Sequence, residues 1–250
     1  MKKYGLLILP LCGLLVSLAP AKPTPARVPV VVELFTSEGC SSCPAADAAL
    51  RELEAAQAVP GADVIVLGEH VDYWNKLGWK DAFSAPAFTA RQRQYAQQFG
   101  TGSYTPQAVV NGRYELVGSH TSELKAAVAK AATLPTAALS LTVDHGQAQV
   151  HVRSLPADTP AVEVLLALTE SGLSSQVGRG ENSGRLLRHA AVVRQLIPLG
   201  RVRADGTFGG AQALTLPAAW QRPHVRVVAL VQETASRRIV GVAAASLPSE

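Results

Sequence analysis

V28-P-V-V-V-E-L-F-T-S-E-G-C-S-S-C-P44 joins an apolar, β-branched run to a turn and then to a helix start. Residues 28–35 are short, apolar and bounded by turn residues, which predicts a buried strand. Pro44 fits only the first turn of a helix, where a missing N–H costs nothing, so the helix begins between Cys40 and Cys43. Ala46, Leu50 and Leu53 then recur at helical spacing until Pro60-Gly61 stops the element. Residues 63–68, D-V-I-V-L-G, predict a second strand, and a strand-helix-strand unit of this size implies parallel pairing with a right-handed crossover. Both strands then end on one edge of the sheet. Cys40 lies just past the first and His70-Val71-Asp72-Tyr73-Trp74 just past the second, at the edge where open α/β sheets place ligands.

Further along, residues 83–99 carry Phe88, Tyr95 and Phe99 on one helical face, while Arg91 and Arg93 read as a solvated one. Thr105-Pro106 precedes a short β-rich run at 107–110, and Asn111-Gly112 links it to 113–117 as a hairpin. Thr121 can cap a last helix with Glu123 in its first turn and Leu124, Val128 and Ala131 on one face. The composition changes after Pro135. Short runs at 139–143, 148–152, 162–168, 190–196, 213–216, 225–232 and 239–244, separated by Gly, Pro, Asp and Ser, predict a sandwich of about seven strands. The chain therefore reads as an α/β domain over 22–134 followed by a smaller all-β sandwich domain over 135–250.

The first 21 residues have Lys2 and Lys3, an apolar stretch from Gly5 to Leu18 and a small-x-small ending at Ala19-Pro20-Ala21, the pattern of a cleaved signal peptide. The apolar run is shorter than the about 20 residues that span a bilayer, and Pro10 interrupts it. Leu11 before Cys12 argues against lipid attachment. No later run is long enough to cross a membrane, so the mature chain is expected to have no membrane span and to sit in the periplasm or outside the cell. Loss of Lys2 and Lys3 lowers the formal charge from +4 to +2, and the arginines form no single stripe. That balance argues against a dedicated nucleic-acid or anionic-membrane binder. The sequence sets no oligomeric state.

With Cys12 removed, Cys40 and Cys43 are the only cysteines, in a compartment that permits a disulfide between them. A cysteine at a helix N-terminus meets the positive end of the backbone dipole, which favours its thiolate and suits Cys40 to attack. Cys43, one turn on, is placed to resolve a mixed disulfide. Glu38 works modestly against the thiolate. The same spacing can also supply half of a zinc or copper site, with a histidine such as His70, or close a purely structural disulfide in an interaction protein whose β half is the working surface.

The sequence of elements resembles the thioredoxin fold. More closely, V-E-L-F-T-S-E-G-C-S-S-C-P-A-A-D, H-V-D-Y-W-N-K-L-G-W-K-D-A-F-S, F-T-A-R-Q-R-Q-Y, Y-T-P-Q-A-V-V-N-G and G-E-N-S-G-R-L-L-R-H-A-A-V-V-R resemble a family of secreted bacterial thioredoxin-like proteins of unknown function, over nearly the whole mature chain. The resemblance makes 22–134 an α/β thioredoxin-like domain, Cys40 the attacking thiol, Cys43 the resolving one and Pro106 a cis-proline facing them. Departures are equally specific. Ser41-Ser42 replaces Gly-Pro, Gly39 replaces an aromatic residue, and Leu34 stands where thioredoxins bury an aspartate. Glu33 could take that place only with a register shift of one, since side chains alternate faces along a strand. These departures argue against an efficient reductase of the cytosolic type.

The function expected is a thiol-disulfide oxidoreductase acting on exported proteins with cysteines or on a redox partner, with Cys40, Cys43 and Pro106 catalytic and no cofactor beyond the dithiol. Thr105, His70, Tyr73 and Trp74 are expected to line the substrate side, with Asp72 and Trp79 beside them; the alternative for Trp74 and Trp79 is packing of a long loop onto the sheet. Glu181-Asn182-Ser183-Gly184-Arg185 reads first as turn chemistry, while His189 or Arg185 would reach the dithiol if the β half folds over it.

Overall fold

The computed structural model describes Met1 and residues 26–248, so the expected leader over 1–21 lies, apart from Met1, outside the described residues. The N-terminal elements follow the predicted order: β1 (Val28–Thr36), α1 (Cys43–Ala56), β2 (Ala62–His70), α2 (Pro86–Phe99), β3 (Gln107–Val110), β4 (Tyr114–Val117) and α3 (Thr121–Ala131). Nine strands follow: β5 (Ala138–Asp144), β6 (Gln147–Ser154), β7 (Val162–Glu170), β8 (Ser174–Gln176), β9 (Leu186–Arg188), β10 (Val192–Arg201), β11 (Phe208–Ala213), β12 (Val225–Glu233) and β13 (Ile239–Ser246). Among the described residues no helix is long and apolar enough to cross a membrane.

The expectation of an α/β thioredoxin-like domain followed by a smaller all-β sandwich is overturned. The described residues are mostly β, with 40% in strands and 19% in helices. One mixed sheet of eight strands, ordered β13-β12-β7-β10-β2-β1-β3-β4, runs through both parts of the chain. The physical reason lies in β7 and β12. Their runs V-E-V-L-L-A-L-T-E and V-R-V-V-A-L-V-Q-E are buried almost throughout, as central strands covered on both faces are, rather than alternating like half-solvated sandwich strands. Strands β11, β6 and β5 form a second sheet, which packs Val150, Val152 and Phe208 against Val164, Leu166, Val227 and Ala229, and β8 and β9 pair as a third of two strands. The β8–β9 hairpin escapes a periodicity reading because each strand has three residues.

Strand alternation sorts β1 and β2 into two faces. Val30, Val32 and Leu34 with Ala62, Val64 and Val66 face Leu50 and Leu53 of α1 and Leu124 and Val128 of α3. Val31, Ile65 and Leu67 face the opposite way, against Phe88 of α2. Glu33 belongs to this second face, which rules it out as a stand-in for an acid beside the cysteines. It binds Arg91 instead, whose Nε and Nη2 donate to Glu33 Oε1 at 2.7 and 2.5 Å, while the Tyr95 hydroxyl donates to Oε2. Arg91 is thus buried and not on a solvated face as expected, because its helix face meets a sheet; Arg93 is exposed. Arg91 also donates to Gln232 of β12 at 3.0 Å, tying α2 to the far part of the sheet.

The two parts meet along β2 and β10, which are parallel and share the single register pair Gly68 with Val192. The Gly68 N–H donates to the Ala191 carbonyl at 2.6 Å, and a side chain on Gly68 would meet that oxygen at 3.1 Å. A second contact lies at the β3–β4 hairpin. Asn111 and Gly112 both adopt positive φ, as an Asn-Gly turn predicts, and a Cβ on Gly112 would collide with the Arg237 carbonyl before β13.

Arg91 compensates one buried carboxylate, yet Glu69 lies beside it too, with Oε1 3.4 Å from Nε. Burial, reinforced by the charge of Glu33, holds the Glu69 carboxyl protonated well above the usual carboxylate range. A folded-state value raised above the unfolded one gives stability that is complete at low pH and lost as pH rises through the folded value. Wild-type stability in denaturant is therefore expected to fall as pH rises from the ordinary carboxylate range toward the raised value of this group, with a slope of up to about 1.4 kcal/mol per pH unit from it. Glu69→Gln flattens that slope in urea titrations; an unchanged slope in the folded variant excludes Glu69 as its source.

Candidate functional site

Cys40 and Cys43 are disulfide-bonded, with Cα atoms 5.4 Å apart. Cys43 is the first residue of α1 and Pro44 follows in the first turn, so Cys40 lies in the turn just before the helix. The helix start takes no side-chain cap, and Ser42 Oγ instead sits 3.4 Å from Cys40 Sγ, where its O–H can donate to a thiolate.

Thr105 and Pro106 stand at the same edge, and the peptide between them is cis. Trp74 connects them to the cysteine turn. Its indole N–H donates to Thr105 Oγ1 at 2.9 Å, and its Cβ would lie 3.1 Å from any side chain placed on Gly39. The absence of a side chain at Gly39 is therefore what lets Trp74 approach. Tyr73 packs beside Phe35, Val71 and Tyr95, and its buried hydroxyl has no well-formed hydrogen bond. Asp72 anchors α2 by accepting from Thr89 Oγ1 at 2.5 Å.

His70 points elsewhere. It continues the face of Ala62, Val64 and Val66 and enters a buried polar cluster behind the disulfide, where Nδ1 lies 2.7 Å from Asp81 Oδ2. It is 1% exposed and so lines no open substrate surface. Burial alone would push its imidazole down, but Asp81 more than offsets this and the net direction is up. The same contact holds Asp81 below its ordinary value against the opposite pull of burial.

Asp47 and Asp81, which the sequence does not single out, complete this cluster with Glu38 and His189. Asp47 lies four residues after Cys43 on one face of α1; its carboxylate accepts from Thr36 Oγ1 at 2.8 Å and from the Ala190 N–H at 3.3 Å. Glu38 turns inward to His189 Nε2 at 3.1 Å and accepts from Trp79 Nε1 at 2.6 Å. Burial favours protonation of Glu38, but hydrogen bonds led by that of His189 hold its carboxyl below the usual value. The i,i+4 spacing of Cys43 and Asp47 was the one available clue.

The β half does fold over the dithiol. Asn182 Nδ2 donates to the carbonyls of Glu38 and Cys40, both at 2.9 Å, and Arg185 donates to Asn182 Oδ1 at 2.7 Å. Glu181 accepts from the Ser41 N–H at 3.0 Å. Gly178 and Gly180 leave room for Trp79 beneath this loop. As a result Cys40 and Cys43 are each 1% exposed, while Ser41 and Ser42 face solvent. Loop 177–185 is therefore the cover of the site rather than a remote turn.

Residues 31–232 match the model of a family described as protein of unknown function (DUF1223). A structural-genomics crystal structure from Agrobacterium tumefaciens is similar at 28% identity and a TM-score of 0.70, covering 90% of this chain and 96% of that one. HBP35 of Porphyromonas gingivalis shares the fold at 17% identity and a TM-score of 0.60, over 89% of this chain and 76% of that one. No curated protein matches.

Asn182→Ala removes two hydrogen bonds that pin the cover to the cysteine turn, each worth about 0.5–1.5 kcal/mol. Reduction of the disulfide by dithiothreitol is expected to accelerate about tenfold in this variant, as followed by thiol release; an unchanged rate in the folded protein shows that the cover does not limit access.

Proposed function

The chain belongs to the DUF1223 family, whose function is unknown, and we propose that it is a thiol-disulfide redox protein working through the Cys40–Cys43 bond. The observation that carries this reading is the disulfide itself, closed at the start of α1 with the Ser42 hydroxyl against Cys40 Sγ. A short-spanning disulfide at a helix N-terminus that takes no side-chain cap, with a hydroxyl donor beside it, has what a stabilised leaving thiolate needs. Trp74 and Thr105 flank it as a wall for an incoming segment, and the leader read over residues 1–21 supports export to a compartment where the partners are proteins with cysteines.

The exchange balances without a cofactor. A partner thiolate attacks Cys40 Sγ, the S–S bond breaks, and Cys43 leaves with its electron pair and takes up a proton. The partner's second thiolate then displaces Cys40 from the mixed disulfide. The partner is oxidised to its disulfide and Cys40–Cys43 is reduced to the dithiol; the reverse sequence reduces a partner. The 1% exposure of both cysteines requires loop 177–185 to lift before the first step.

The test is exchange with a model dithiol or disulfide substrate together with the reduction potential of the couple. Wild type is expected to turn over, Cys40→Ala to lose activity entirely, and Ser42→Ala to alkylate severalfold more slowly at neutral pH as its thiolate is less favoured. Turnover no faster than that of Cys40→Ala leaves the bond a structural one.

A further inference from the structure

Behind the disulfide, and separate from the redox reading, we infer that Asp47, His70 and His189 form a binding site for a divalent transition cation, zinc being the chemistry that fits best. One ligand atom from each residue lies within 4.8 Å of the others, and all three residues are buried. They come from three elements: the first turns of α1, the end of β2, and the segment entering β10.

The decisive atom is His70 Nε2. It is buried and has no hydrogen-bond partner, although Nδ1 on the other side of the ring is bound to Asp81 Oδ2 at 2.7 Å. Whether that nitrogen carries a proton or a lone pair, leaving it buried and unsatisfied is unfavourable. A cation bound there removes the cost.

The surroundings have the form of a metal shell. Each imidazole is held by a carboxylate, His70 by Asp81 and His189 by Glu38 at 3.1 Å, which is how second-layer acids fix the tautomer and orientation of metal-bound histidines. Thr36 and the Ala190 N–H fix the Asp47 carboxylate in the same way. Phe83 closes one side, its ring 5.5 Å from that of His70 and 5.2 Å from that of His189. Two nitrogen donors and one oxygen donor suit zinc among the abundant cations, and zinc bonds of about 2.0–2.1 Å need donors about 3.4 Å apart, so a small inward swing of the rings completes the shell. Three protein donors leave one coordination position open, as catalytic rather than purely structural zinc sites do. His189 also lines a cavity of about 250 Å³ on the side of Arg51 and Ser171.

The test uses the full-length protein, stripped with a chelator and kept oxidised so that neither thiol can bind. Equilibrium dialysis against zinc, and cobalt(II) titration read by visible absorption, are expected to give one ion per chain, with cobalt bands of a low-symmetry nitrogen-oxygen site and a raised melting temperature. Asp47→Asn and His189→Gln are expected to abolish stoichiometric binding, and Asp81→Asn, which touches no cation, to weaken it by about 10–100-fold. Failure of oxidised wild type to take up either metal overturns the proposal, as does uptake only after reduction, which would place the ion on the cysteines, or wild-type affinity in any folded variant. Because the measurements are made with the disulfide closed, their failure leaves the redox reading standing.

Discussion

The parallel seam between β2 and β10 is the contact on which the rest of the molecule depends. It consists of one register pair, yet it turns two sets of strands into one sheet, because the backbone of Gly68 can approach Ala191 where a side chain would press on the carbonyl. Ala190 and Ala191 are buried at this seam, and His189 precedes them directly. The seam therefore delivers His189 to Glu38 and His70, and the loop leading into it delivers Asn182 to the cysteine turn. Without that approach the disulfide would stand at an open edge.

Charge inside the protein is arranged in two separate systems on opposite faces of β1 and β2. On the α2 side, Arg91 serves Glu33 and Glu69, a ratio that leaves one carboxyl protonated. On the α1 side, Glu38, Asp47 and Asp81 meet two imidazoles around the rear of the disulfide. The sheet between them keeps the two systems apart, so the first is a fastening of helix to sheet and only the second borders the sulfur chemistry.

The sequence made much of this legible at short range and little at long range. The β1-α1-β2 unit, the Asn-Gly hairpin, α3 and the place of Cys40 and Cys43 all follow from local periodicity, Pro44 and turn residues, and the structure has them in that order. The sheet partners of β7, β10 and β12 were not legible, because periodicity says that a strand is buried and not against what. Arg91 looks solvated on its own helix, and only the facing Glu33 explains its burial. Likewise Asn182 carries ordinary turn chemistry until its amide is seen on the Cys40 carbonyl, 142 positions away in sequence. His70 and Trp74 were read into one wall, but strand alternation sends His70 inward and leaves Trp74 at the edge.

That sequence separation also divides what pairs the cysteines from what shields them. The cysteine turn is built within residues 28–44, whereas Asn182 and His189 come to it from 142 and 151 positions further along the chain. Without the second part of the sheet the same dithiol would lack its cover. Access to the bond is thereby tied to the integrity of the whole sheet: the pairing of the cysteines is local, and their shelter is not.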